Sequence, residues 1–182
     1  MNIKETPLKD AYIIEPRVFE DERGYFFESY NENNLKNTPL EEYNWVQENE
    51  SQSVKGVLRG LHFQKGPYSQ AKWVRVIEGE VFDVAVDLRR SSPTFGQSFG
   101  LVLSGLDKNQ FLIPRGFAHG FLVLSEKATF SYKCDNFYSP EHDSGIIYND
   151  DSLNINWPEI NSEIILSNKD AQLSTFKDAF KF

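Results

Sequence analysis

Residues 72–88 read KWVRVIEGEVFDVAVDL, and this stretch indicates the fold class. Residues 81–88 alternate strictly between two faces, with Phe82 on one face and Asp83 on the other, which is the period of a β-strand. Residues 72–77 have the composition of a second strand, and the Glu-Gly-Glu between the two is a tight connection. The stretch therefore predicts a β-hairpin.

Short strand patterns continue on both sides of this stretch. They cover residues 12–14, 24–30, 57–64, 99–103, 110–113, 120–124 and 129–134. Helical periodicity is weak, so only short helices are expected, near residues 31–37 and near the C-terminus. Many short antiparallel strands predict an all-β jelly-roll barrel whose interior can hold a ligand. Because there is no linker or repeat, a single domain over residues 1–182 is expected.

Composition excludes several classes of function. The formal net charge of -8 argues against a nucleic-acid surface, which needs clustered Lys and Arg, but it allows a small anion held by a few converging cations. The sequence has neither a signal peptide nor an apolar run of the ~20 residues that span a membrane. The lone Cys134 is interpreted as a small strand residue in a reducing compartment. A cytoplasmic protein is expected.

The three histidines are the first candidates for chemistry. His62 and His119 lie beside glycines within strand patterns, whereas His142 follows Pro140 in a predicted loop and is interpreted as solvated. Many jelly-roll barrels bind a metal through a His-x-His pair, but the residue two positions after His62 is Gln64. Two imidazoles without a clear carboxylate ligand make a poor metal site, so metal-free acid–base chemistry is favoured.

Acid–base chemistry by a histidine needs an orienting carboxylate and an acid partner. Asp170 is a candidate for the carboxylate, although the sequence does not place it near His62. Tyr132 shares a strand face with Phe130 and Cys134. It is either a general acid or a core aromatic with a satisfied hydroxyl.

Basic residues inside the strand patterns suggest an anionic ligand. Arg59 and Lys72 interrupt apolar strands, where a charge is costly unless it is paired or faces a wet pocket; the alternative is a side chain that reaches the surface. Together with Arg23 and Lys169 they would suit a diphosphate. Strict alternation puts Arg59 and His62 on opposite faces, and a bulge at Gly60 would bring them together.

Seven stretches, in order and nearly without gaps, carry a resemblance to a known family. They are 21–28 (DERGYFFE), 47–51 (QENES), 56–64 (GVLRGLHFQ), 83–89 (DVAVDLR), 92–96 (SPTFG), 113–121 (IPRGFAHGF) and 166–170 (LSNKD). The chain resembles the dTDP-4-dehydrorhamnose 3,5-epimerase family. The resemblance implies a cupin-type jelly roll and a homodimer without metal or organic cofactor. It also implies conversion of dTDP-4-dehydro-6-deoxy-D-glucose to dTDP-4-dehydro-L-rhamnose in dTDP-L-rhamnose synthesis.

The resemblance also implies roles for individual residues. His62 would be the general base with Asp170 as its orienting carboxylate, Tyr132 the acid, and Lys72 the cation facing the enolate oxygen. Substrate contacts would come from Gln47, Asn49, Arg59, His119 and Lys169, with Tyr138 stacking on the nucleobase. The segment with Arg23, Phe26 and Glu28 would reach into the partner subunit's site.

Several alternatives stay open at the level of the sequence. The acid role could belong to Tyr138 instead of Tyr132. The activity could be epimerisation at C3 or C5 only, or 3,4-ketoisomerisation of the same class of sugar. A non-catalytic sugar-nucleotide binding module would be expected to lack His62, Asp170 or Tyr132, and all three are present.

Overall fold

Two antiparallel sheets form the molecule, and the computed structural model describes residues 1–182. The six-stranded sheet contains, in spatial order, β1 (Asn2–Glu5), β2 (Tyr12–Glu15), β10 (Gln110–Ile113), β7 (Lys72–Glu78), β12 (Lys127–Cys134) and β5 (Gln47–Val54). The five-stranded sheet contains β13 (Asp143–Gly145), β6 (Leu58–Gln64), β11 (Phe117–Val123), β8 (Glu80–Asp87) and β9 (Ser98–Ser104). The predicted all-β, cupin-type jelly roll is confirmed.

The remaining elements are short. Strands β3 (Phe19–Asp21) and β4 (Gly24–Phe26) pair only with each other. The helices are single 3-10 turns at Glu32–Leu35, Gly66–Tyr68, Pro140–His142, Asp151–Leu153 and Asp170–Gln172, which agrees with the weak helical signal in the sequence. No helix has the length and apolar character needed to cross a membrane.

The predicted hairpin at residues 72–88 is wrong, although both of its strands exist. Strand β7 pairs with β10 and β12, whereas β8 pairs with β11 and β9 in the other sheet. Only Gly79 separates the two strands, and one residue is too short for the two-residue turn that closes a tight hairpin. Gly79, at φ +83, instead carries the chain from one sheet to the other.

The main core lies between the facing sheets. Val74 and Phe130 come from the larger sheet, and Val81, Ala85 and Phe121 from the smaller one. Burial of each larger side chain contributes about 1.5–3 kcal/mol. This apolar part fills only some of the interior, and polar residues occupy the rest.

A bulge in β6 confirms the expectation at Gly60. His62 lies opposite His119 and Arg59 opposite Phe121, so two residues of β6, Gly60 and Leu61, stand against the single Gly120 of β11. Residues that face each other across an antiparallel ladder share a face, so Arg59 and His62 lie on the same side of the sheet. A Cβ atom on Gly60 would lie 2.5 Å from the Cα atom of Gly120, so the close approach of the two strands requires glycine here.

Some predicted bounds differ from the structure. The strand expected at residues 24–30 ends at Phe26, and the strand expected at 120–124 already begins at Phe117. Strands β1, β3, β5 and β13 were not predicted, and of these β5 contributes most to the cavity described below. Residues 47, 49, 51 and 53 of β5 are less exposed than their neighbours, but they are polar, so they give no hydrophobic alternation.

Candidate active site

A cavity of about 330 Å³ opens between the two sheets. Its walls come from β5, β6, β7, β12 and the segments that precede and follow β13. The lining residues are Gln47, Asn49, His62, Phe63, Gln64, Gln70, Lys72, Tyr132, Tyr138, Asp143 and Lys169. Seven of the residues predicted from the sequence therefore meet at one cavity: Gln47, Asn49, His62, Lys72, Tyr132, Tyr138 and Lys169.

On the wall formed by the smaller sheet, His62 is paired with a carboxylate. Its Nε2 is hydrogen-bonded to Asp170, whose side chain is 5% exposed against 29% for that of His62. Asp170 begins the last 3-10 turn, and its own N–H donates to the Ser167 hydroxyl at 3.0 Å. Burial acts to raise the pKa of Asp170, but the hydrogen bond and charge of His62 outweigh it and hold this pKa below its ordinary value. Asp170 therefore stays ionised beside the imidazole.

On the opposite wall, formed by the larger sheet, stands Tyr132. It lies on β12, directly across the ladders from Asn49 and Val74. Burial raises the pKa of the Tyr132 phenol above its ordinary value of 10.0, because a phenolate is poorly solvated there. The phenol consequently keeps its proton at neutral pH.

Two cations near these groups form no ion pair within the chain. The Nζ atom of Lys72 has the carbonyl oxygen of His62 as its hydrogen-bond partner, at 3.5 Å. Burial lowers the pKa of Lys72. The Nε of Arg59 donates to the Ser53 hydroxyl at 3.1 Å. Cations without a carboxylate partner are suited to an anionic ligand.

His119 lies behind the cavity wall and not on it. Its side chain is 7% exposed, and Nε2 is 3.0 Å from the fully buried carboxylate of Asp83. Burial lowers the pKa of His119, although Asp83 acts in the opposite direction. Its role as a substrate contact stays a prediction. His62 and His119 pair with different carboxylates. No group of three or more His, Cys, Asp or Glu side chains is placed to hold a metal ion.

At the cavity mouth, Tyr138 is held by hydrogen bonds from both its side chain and its backbone. Its phenol donates to Asp143 at 2.9 Å, and its backbone N–H donates to the side chain of Gln47 at 3.0 Å. Asp143 also binds the ammonium group of Lys169. The hydrogen bond to Asp143 raises the pKa of Tyr138. Gln47 in turn donates to Asn49 at 3.0 Å.

Arg23, Phe26 and Glu28 do not line this cavity. The Arg23 side chain is 84% exposed and pairs with Asp21, its neighbour in the β3–β4 hairpin, and Phe26 is 66% exposed. Glu28 accepts hydrogen bonds from Asn31 and from a second asparagine three residues later. Within one chain these three residues are therefore not part of the cavity wall.

Three residues of the site region were missed in the sequence. The sequence could have indicated Asp83, since an acidic residue within an alternating strand needs a partner when it is buried. No sequence pattern could have indicated Asp143 and Gln64, because their contacts depend on the path of the loop between β12 and β13. His142 lies in the loop as expected and is partly exposed, and its ring stacks on Tyr68 with centroids 3.9 Å apart.

Cys134 agrees with its interpretation as a small strand residue. It is 1% exposed, and burial raises the pKa of its thiol to about 11. A thiol that stays protonated is a poor nucleophile, so Cys134 does not belong to the reactive groups of the cavity.

Comparisons with known proteins agree with one another. Residues 5–178 match the family model described as dTDP-4-dehydrorhamnose 3,5-epimerase. The enzyme of that name from Shigella flexneri is 52% identical over 182 residues, which cover 100% of this chain and 99% of the relative.

Solved structures show the same similarity. The crystal structure of dTDP-4-dehydrorhamnose 3,5-epimerase from Elizabethkingia anophelis NUHP1 aligns with a TM-score of 0.90 at 54% identity, over 98% of this chain and 97% of that one. The dTDP-6-deoxy-D-glucose-3,5-epimerase from Legionella pneumophila Philadelphia 1, in complex with dTDP-4-keto-L-rhamnose, aligns with a TM-score of 0.94 at 48% identity, over 98% and 94%.

Proposed function

The chain belongs to the dTDP-4-dehydrorhamnose 3,5-epimerase family, and from this premise we propose a mechanism in which its cavity inverts C3 and C5 of dTDP-4-dehydro-6-deoxy-D-glucose. One observation carries the proposal. The His62–Asp170 pair lies on one wall of the cavity and the protonated phenol of Tyr132 lies on the other. Inversion at carbon requires this arrangement, because the proton leaves from one face of the sugar and returns to the opposite face.

His62 removes the proton. The C4 ketone acidifies the C–H bonds at both neighbouring carbons, so one base serves C3 and C5 in turn. With Nε2 engaged by Asp170, Nδ1 is the ring nitrogen available to the substrate. The Asp170 carboxylate stabilises the imidazolium that forms, as in other His–Asp pairs.

Lys72 stabilises the enolate. Each deprotonation moves negative charge onto the C4 oxygen, and an ammonium group without a carboxylate partner is free to face it. In a water-poor site one such donor contributes about 3–4 kcal/mol to the transition state.

Tyr132 returns the proton from the opposite wall. Its raised pKa keeps the phenol protonated, so that a proton is available for the enolate carbon. A positioned acid contributes on the order of 10²–10⁴ in rate. Tyr138 is less suited to this step, since its phenol already donates to Asp143.

Arg59 and Lys169 hold the diphosphate, and Tyr138 stacks on the nucleobase. The protein acts as a homodimer, in which the exposed β3–β4 hairpin brings Arg23 and Phe26, with the nearby Glu28, to the partner's cavity. The exposure of the first two supports this assignment. His119, held by Asp83, contacts the substrate through the small part of its side chain that remains exposed.

The proposal is tested by incubating the protein with dTDP-4-dehydro-6-deoxy-D-glucose in deuterated buffer with EDTA and following C3 and C5 by NMR. Deuterium at both carbons with inverted product is expected. Exchange at one carbon would indicate a mono-epimerase. Loss of activity on chelation would refute the metal-free mechanism. His62→Ala should abolish exchange while dTDP still binds.

A further inference from the structure

Gln64 holds the backbone of the loop that carries Tyr138. We propose that Gln64 is a positioning residue for nucleotide binding: its amide fixes the backbone on both sides of Tyr138, so that the aromatic ring stands at the cavity mouth. The inference rests on the proposed function, because that function gives Tyr138 the nucleobase.

The contacts of Gln64 form a complete set. The residue is 3% exposed. Its Nε2 donates to the carbonyl oxygens of Tyr68 at 2.7 Å and Phe137 at 3.1 Å, and its Oε1 accepts from the N–H of Ser139 at 2.5 Å. Two carbonyls at one end and an N–H at the other fix which way the amide points. The side chain is therefore hydrogen-bonded to the backbone of the residues on either side of Tyr138.

The same residue also sets the far end of the loop. In the ladder between β6 and β13, Gln64 lies directly opposite Asp143, which accepts the Tyr138 phenol. The side chain of Gln64 thus fixes the backbone beside Tyr138, and its backbone fixes the acceptor for the Tyr138 hydroxyl. The remaining link is the bond from the Tyr138 N–H to Gln47.

An apolar side chain at position 64 would leave two carbonyls and one N–H without their partners. Backbone groups that are covered by a side chain with no hydrogen-bond partner for them are costly, so we expect the loop to leave its present position to let them reach water. Tyr138 would leave with it, while His62, Tyr132 and Lys72 sit on strands that do not depend on the loop. The expected loss therefore falls on binding more than on chemistry.

The test compares Gln64→Leu with the matched control Gln52→Leu. Gln52 lies on β5, is exposed, and donates only to Thr129. We expect KM for the dTDP-sugar and the calorimetric Kd for dTDP to rise on the order of tenfold in Gln64→Leu, with kcat nearly unchanged. The control should match the wild type. A folded Gln64→Leu protein with unchanged KM and Kd would overturn the inference, and so would a fall in kcat alone.

A second variant, Gln64→Glu, decides the matter if the leucine variant does not fold. The ionised carboxylate of this variant accepts from Ser139 but cannot donate to either carbonyl. Protonation restores one donor, and burial against carbonyls raises the pKa of such a group. The ratio of its Kd for dTDP to that of the wild type should therefore fall as the pH is lowered from about 8 to about 5, the range in which a buried carboxyl with a raised pKa titrates. A ratio independent of pH would refute the role. Binding of dTDP is measured without turnover, so this result is separate from failure of the epimerase reaction.

Discussion

The Nε2 atom of His62 is hydrogen-bonded to the carboxylate of Asp170, 108 residues further along the chain, and the Nδ1 atom of the same ring makes no hydrogen bond within the chain. The carboxylate is buried and the imidazole is partly exposed. Asp170 therefore acts on a bound substrate only through His62. The pair separates two tasks: one residue meets the substrate, and the other sets the orientation and charge of the first.

Asp170→Asn should lower kcat by about 10²–10⁴-fold, because the amide keeps the shape of the carboxylate but loses its charge beside the imidazolium. The Kd for dTDP should not change, since Asp170 does not line the cavity. Turnover by NMR and dTDP titration calorimetry measure the two quantities. Asp151→Asn is the matched control, because Asp151 also begins a 3-10 turn but is exposed. Equal rates in both variants would remove Asp170 from the mechanism.

The two tyrosines should behave differently when each is changed to phenylalanine. Tyr132→Phe removes the acid but leaves the base, so deuterium should still enter at the acidified carbons while inverted product falls by about 10²–10⁴-fold. Tyr138→Phe loses only the bond to Asp143 and should epimerise at close to the wild-type rate. NMR in deuterated buffer separates exchange from inversion. If Tyr138→Phe is the variant that exchanges without inverting, the acid has been assigned to the wrong tyrosine.

Hydrophobic alternation predicted most of the barrel strands, since one face of each packs against apolar neighbours. It failed at β5, whose inward-facing residues Gln47 and Asn49 line a polar cavity and so give no such pattern. The predicted pairing of β7 with β8 was also wrong, because alternation identifies strands but not the sheet to which each belongs. A strand whose inward-facing residues are polar, as in β5, is the kind least visible to a method based on burial of apolar side chains.

The candidate site divides in the same way. Residue type and position in the strand patterns identified His62, Tyr132 and Lys72 as candidates for chemistry. The resemblance to a family then assigned their roles. Neither revealed the Gln64 and Asp143 contacts, which exist only because the loop after β12 returns to the edge of β6. Side chains whose function is to hold a backbone need the three-dimensional path of that backbone to be recognised.

Activity should fall at alkaline pH because Lys72 loses its charge. Burial lowers the pKa of Lys72 below its ordinary value and raises that of Tyr132 above its own. Lys72 therefore loses its charge at a lower pH than an exposed lysine does, whereas Tyr132 keeps its proton to a higher pH than an exposed tyrosine. Lys72→Gln should reduce kcat by about 10²–10³-fold at neutral pH, and this difference from the wild type should shrink at alkaline pH, where Lys72 is also uncharged. Lys72→Arg keeps its charge and should retain some activity with the alkaline limb of kcat/KM shifted to higher pH. An arginine variant with the wild-type alkaline limb would show that another group titrates.

Gly60→Ala should destabilise the protein and disorganise the site, because the bulge that aligns Arg59 with His62 depends on the absence of a Cβ. Gly60 has φ +118, and an added Cβ would lie 2.5 Å from the Cα of Gly120. The expected loss of stability is about 1–3 kcal/mol, measured by urea unfolding. Gly24→Ala is the control for stability, since Gly24 has φ +122 but nothing within 4 Å of the added Cβ. The Gly24 variant should lose only the stability that backbone strain costs. The Gly60 variant should lose more stability than this. It should also epimerise slowly under conditions in which it is fully folded. Equal destabilisation of the two variants would mean that the contact between Gly60 and Gly120 does not hold the bulge in place.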